Sequence, residues 1–256
     1  MWVGASNHRR FLGVAGALVG VAWIVLWLWG LSPYARFLSH QELDVVRWVD
    51  AGHLLIFAAG WTLMITAMML PSSLPLVTAF RTLVRQRRQH AWLLALLLAG
   101  YLAVWSLFGL VVHLGDWRLH QAVARSPWLQ AHVWLLGVAP LLLAGLYQFT
   151  PLKDYCLKRC RSPVSFIAGH WHGRRLASEA FWLGVHHGLF CLGCCWSLML
   201  LMFAVGVGNL GWMLALGTVM FSEKTMPWGR QLSAPLGVLL IGSGLLLTLG
   251  NTLVLR

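Results

Sequence analysis

The stretch HHGLFCLGCCWSLMLLM, His186 to Met202, lies inside an apolar run of about 179–205 that is long enough to cross a bilayer as a helix. Within it stand two histidines, three cysteines and two methionines. At helical spacing, His187, Cys191, Cys195, Met199 and Met202 follow at steps of four, four, four and three, so they share one stripe. Cys194 flanks that stripe. Sulfur and imidazole in one column are what a soft or borderline metal ion needs. The stripe therefore predicts one wall of a metal site or path inside a bundle of membrane helices.

The composition agrees with that environment. Of 256 residues, 59% are hydrophobic and only 10% charged, and the mean hydropathy is +0.72. Soluble domains carry about 25% charged residues. An all-α fold is expected, a polytopic transmembrane bundle forming a single membrane-embedded domain over 1–256. Seven spans are expected at about 11–31, 54–80, 91–114, 131–149, 179–205, 212–221 and 234–255. Span two is interrupted by PSSLP at 71–75, which predicts a kink or break. Span six is short, so it either tilts or continues past Glu223. A polar stretch to about His53 follows span one, and Thr150 to Ser178 forms the longest polar segment. The first run is too long and too Trp-rich for a cleaved signal.

The net charge of +12 would suggest nucleic acid in a soluble protein. Here the charges are topology signals and lipid-headgroup contacts, and no nucleic-acid partner is expected. Fourteen Lys and Arg fall on one side of the seven spans and five on the other. Positive residues stay inside, which predicts a cytoplasmic amino terminus and a multi-pass protein of the bacterial inner membrane. The CLKRC segment then faces the cytoplasm. All five cysteines lie between 156 and 195, an odd number and a tight cluster that argue against a secreted disulfide framework.

Three further groups carry candidate ligands. In WTLMITAMMLP, Met64 and Met68 are four apart with Met69 beside them, and thioethers suit Cu(I), although methionine also fills gaps near a kinked helix. In YQFTPLKDYCLKRCRSP, Cys156 and Cys160 are four apart, and Lys158, Arg159 and Arg161 either lower their thiol pKa or touch phosphates. At the exit of span six, Glu223 is either half of an interfacial Glu-Lys anchor with Lys224 or an oxygen ligand near His187. The chain has no Gly-rich nucleotide loop, no HExxH and no GxSxG, and no carboxylate pair is expected mid-membrane, which disfavours an ordinary proton-coupled carrier.

TAMMLP at 66–71, YQFTPLKDYCLKRCRSP at 147–163, HHGLFCLGCCWSLMLLMF at 186–203 and GNLGWMLALGTVMFSEKTMPWG at 208–229 together resemble a bacterial family catalogued as predicted metal-binding integral membrane proteins (domain of unknown function 2182). The resemblance spans about Trp61 to Gly229. It implies metal binding and carries over Cys156, Cys160, Cys191, Cys194, Cys195, Met64, Met68, Met69 and Glu223 as motif positions. His170, His172 and His186 are not fixed parts of that pattern.

The function expected is handling of a soft transition metal, copper favoured over zinc, by transport or by exchange with a donor or acceptor protein in the lipid bilayer. The expected route runs from Cys156 and Cys160 past His187 and along Cys191, Cys194 and Cys195 to Met199, Met202 and the span-two methionines. Two other classes stay open: a membrane thiol-disulfide oxidoreductase, and a non-catalytic subunit of a membrane complex. The sequence does not decide the oligomeric state.

Overall fold

Two kinds of residue set the element boundaries: long apolar runs that continue as helix, and prolines that start a new one. A computed structural model describes residues 2–31, 51–205 and 209–254. Among them every regular element is a helix: α1 (Trp2–Gly30), α2 (Ala51–Met68), α3 (Leu70–Val84), α4 (His90–Arg125), α5 (Pro127–Ala131), α6 (Leu135–Tyr147), α7 (Pro151–Cys160), α8 (Pro163–His170), α9 (Leu176–Val205), α10 (Leu210–Thr225) and α11 (Ser233–Val254), with a 3-10 turn at Gly229–Leu232. The expected polar connection after span one and the start of the turn before span six lie outside the described residues.

Four helices are long and apolar enough to cross a membrane, within α1, α4, α9 and the segment Gly229–Asn251. The number rises to six if two bent pairs each form one span, α2 with α3 and α6 with α7, both bent by 70°. The seventh expected span is α10. It has 16 residues and runs past Glu223 to Thr225, so it is about 24 Å long at 1.5 Å per residue, short of the roughly 30 Å hydrocarbon core.

The bends have local causes. At Met69 the helix breaks, and Pro71 falls in the first turn of α3, where a missing N–H costs little. Thr150 ends the first pair-member of α6–α7 and starts the second: its hydroxyl accepts the Lys153 N–H, and Pro151 occupies the first turn of α7. The segment expected as a long polar connection is therefore largely helical, and Cys156 and Cys160 lie on α7 rather than in a loop. Span three also exceeds expectation. Its helix continues from 114 to Arg125, because no proline intervenes before Pro127.

α9 is the central element, packed by α4, α6 and α7. Over half of its most apolar window is buried (56%), against 17% for α1 and for the α11 segment. The outer helices turn Leu18, Val21, Ile24 and Leu28, and Val238, Leu239 and Leu246, outward. The closest approach in the core is the crossing of α4 and α9. A Cβ on Gly184 would stand 2.0 Å from the Leu97 carbonyl oxygen, and one on Gly100 would stand 2.2 Å from that of Phe181. Neither position has room for a side chain without parting the helices. Gly184→Ala should therefore cost about 1–3 kcal/mol, read as a lowered unfolding midpoint in detergent. Gly13→Ala, with open space around its Cβ, should not lower it.

Candidate metal centre

α9 carries the cysteines, and its packing decides which of them meet other elements. Cys191, Cys194 and Cys195 are each 1% exposed, and Met199 and Met202 are fully buried. All five belong to one apolar core with Met64, Met68 and Met69 from α2 and its end, Cys156 from α7, and Met213 and Met220 from α10. The candidate sulfur residues of spans two, five and six therefore share one interior, as do those of α7, since Cys160 packs against the same core.

The narrowest meeting point has a cation at its centre. Lys224, near the end of α10, is 7% exposed. Its Nζ lies 3.0 Å from Cys191 Sγ, 3.4 Å from Ser72 Oγ, 3.8 Å from Cys195 Sγ and 3.8 Å from Met69 Sδ. Three sulfurs from α9 and the α2–α3 break thus surround one buried atom of α10. The Tyr101 hydroxyl of α4 adds a contact to Cys191 Sγ at 3.2 Å. The break at Met69 serves this geometry: Met69 caps α3, and its carbonyl accepts the Ser72 hydroxyl at 2.8 Å, which holds both residues toward Lys224.

A second sulfur contact lies beside the first. Cys194 Sγ is 4.0 Å from Cys160 Sγ and donates to the Cys191 carbonyl at 3.0 Å. Cys195 Sγ donates to the same carbonyl at 2.8 Å. Cys156 packs on the α9 backbone, where a Cβ at Gly193 would come within 2.6 Å of its sulfur. The Gly193 carbonyl also accepts the Tyr147 hydroxyl at 2.5 Å. All five cysteines are free thiols.

His187 is buried, one turn before Cys191, with its ring 5.7 Å from that of Tyr101. Among the described residues its Nδ1 has no hydrogen-bond partner. Met64, Met68, Met199 and Met202 are buried in the same core without a polar contact to Lys224. Among the described residues, no three His, Cys, Asp or Glu side chains are spaced as a ready metal site. The nest itself combines two thiols with a thioether around the Lys224 head.

Glu223 turns the other way. Its Oε1 accepts from Lys153 Nζ at 2.6 Å and from Ser233 Oγ at 2.9 Å. Lys153 also donates to Gln148 Oε1. Both ends of the pair are buried, with side chains 1% and 2% exposed. Glu223 is thus not paired with Lys224, although the two are adjacent in sequence. The basic residues of α7 also point away from the thiols. Lys158 pairs with Asp154 at 2.5 Å, and Arg161 donates to the carbonyls of Glu223 and Met226 at 2.5 and 2.7 Å. The Lys158 pair stays within α7, whereas Arg161 ties the end of α7 to α10.

His170 and His172 also stand apart from the nest. The His170 ring packs at 4.5 Å on Phe166 and 4.9 Å from His186, and the His172 N–H donates to Glu179. Sequence reasoning missed Lys224 as a neighbour of the thiols, and missed Tyr101 and Ser72 altogether. The available signal was the helical spacing that puts Lys224 near one face with Asn209, Met213 and Met220. A lone Tyr in an apolar run and a Ser beside a proline carry none.

A family model described as PpoB2, copper chaperone, matches residues 58–247. That range contains every residue of the nest. The chain belongs to the PpoB2 copper chaperone family. Membership supports a role in copper handling and agrees with the soft character of the buried donors. No curated protein and no solved structure matches the chain.

The Lys153–Glu223 pair offers a direct check of this arrangement. Glu223→Gln leaves a buried ammonium without its counter-charge and should destabilise the protein by about 3–5 kcal/mol. Replacing Lys153 and Glu223 together by Met should cost less than that single change, as read by denaturant unfolding.

Proposed function

We propose that this chain is a multi-pass protein of the bacterial inner membrane that holds Cu(I) in its sulfur nest and passes it to a partner protein. The observation that carries the proposal is the convergence of Cys191 Sγ, Cys195 Sγ and Met69 Sδ within 3.8 Å of one buried point. Two thiols and a thioether are a donor set for a soft monovalent ion. A metal–thiolate bond is about 2.3 Å long, so the sulfurs close inward as the ion replaces the Lys224 head at the centre.

The remaining residues have supporting roles in this proposal. Tyr101 holds Cys191 in place, and Cys194 with Cys160 forms a second sulfur pair one step toward α7. Cys156 stands next along α7, and His187 stands one turn back along α9. Met199, Met202, Met64 and Met68 continue the sulfur lining, and thioethers hold the ion more loosely than thiolates do. Glu223 acts on the site through structure, by fixing α10 against α7. The apolar outer faces of α1 and α11 suit contact with lipid. The basic residues on alternate connections suit a cytoplasmic amino terminus.

Anaerobically purified protein should bind about one Cu(I), measured by competition with a chromophoric chelator. The triple replacement of Cys191, Cys194 and Cys195 by Ser should remove most of that binding, and Met69→Leu should weaken it. Unchanged stoichiometry in the triple variant excludes the nest as the copper site.

One observation favours a second reading, a thiol-disulfide exchange function. Cys160 Sγ and Cys194 Sγ are 4.0 Å apart, close enough to join after a small side-chain rotation. Trapping free thiols in intact cells separates the two. A Cys160–Cys194 disulfide that forms and breaks with growth conditions supports exchange, and permanently reduced thiols support copper binding.

A further inference from the structure

We infer that Lys224 is a charge-selecting residue: it makes the nest accept a singly charged soft ion and reject a divalent one. This rests on the proposal that the nest is the copper site. It adds the basis on which that site chooses its ion.

The nearest carboxylate in sequence does not neutralise Lys224. Its sequence neighbour Glu223 gives its carboxylate to Lys153 and Ser233. Among the described residues, the atoms that surround the Lys224 head are a hydroxyl, a thioether and two cysteine sulfurs. A buried ammonium is costly unless an opposite charge or hydrogen-bond acceptors compensate it. Here the compensation comes from the same sulfurs that would hold the metal.

A charge count follows. Cysteine binds metal as thiolate. Two thiolates carry −2, Lys224 carries +1, and Cu(I) brings the sum to zero. A divalent ion such as Zn(II) leaves +1 in an apolar interior. The lysine stem is anchored in α10 and its head can withdraw only along its own side chain, so its charge stays near the nest when the ion enters. Repulsion between Lys224 and the ion doubles when the ion's charge doubles, and it is weakly screened at a buried site. Tyr101 and Ser72 are neutral and do not offset it, and Cys194 enters as a protonated thiol that donates to the Cys191 carbonyl. His187, one turn away, brings no negative charge either.

The test compares dissociation constants for Cu(I) and Zn(II) on the full-length protein in detergent, under anaerobic conditions. Four forms are used: the natural protein, Lys224→Leu, Lys224→Gln and Lys224→Arg. Leu and Gln both remove the charge without adding a sulfur donor, so a folding defect in one is checked against the other. The two neutral variants should bind Zn(II) about tenfold or more tightly relative to Cu(I) than the natural protein does, and Arg should preserve the original preference. A Zn(II)/Cu(I) ratio unmoved in both neutral variants overturns the inference, as does an equal shift in the Arg variant, which would trace selectivity to shape. These outcomes leave copper binding itself intact. Loss of Cu(I) binding in the natural protein would instead overturn the proposal on which the inference stands.

Discussion

A lysine head buried in an apolar core must find compensation nearby, and in this protein it finds sulfur. Lys224 reaches Cys191, Cys195, Met69 and Ser72 from the end of α10. That one requirement links three parts of the chain. It demands that α9 present its cysteine stripe toward α10. It draws on the 70° bend between α2 and α3, where Met69 and Ser72 both come within reach of the Lys224 head. It also demands that Glu223 be occupied elsewhere, and Lys153 and Ser233 occupy it.

Two buried lysines on opposite sides of α10 thus have different solutions. Lys153 has a carboxylate, an amide oxygen and no sulfur contact. This is a structural ion pair, and it locks α7 to α10 together with the Arg161 contacts to the backbone after Glu223. Lys224 has only soft or neutral partners, which an incoming soft cation would compete for. The first lysine holds the frame, and the second sits at the centre of the donors. The structural pair and the proposed ion site are separated by one residue of sequence because a helix turns adjacent side chains about 100° apart.

Much of the architecture was legible in the sequence. The helical class followed from long apolar runs, and the break in span two followed from Pro71 and Pro75. The sulfur stripe on α9 followed from the spacing of Cys191, Cys195, Met199 and Met202. The continuation of span three to Arg125 was not legible, because Asp116 and Arg118 look like a loop when charge alone is counted. The helical state of Thr150 to His170 was hidden for the same reason, although Thr150-Pro151 is a helix-start signal. The shortness of α10 and its continuation past Glu223 were legible, because its apolar run is brief and no proline stands before Pro227.

The sequence by itself determined that the chain is helical and apolar, and which residues carry soft donors, because both depend on residue type and on spacing within one helix. Only the tertiary structure decided which donors meet. Cys191 and Cys195 join Met69 across more than a hundred residues, Cys194 faces Cys160 instead, and Glu223 turns from its neighbour Lys224 to Lys153. Those pairings depend on how helices cross, on a glycine contact at Gly184 and on a 70° bend at Met69. Periodicity gives each helix a face but carries no information about what that face will touch.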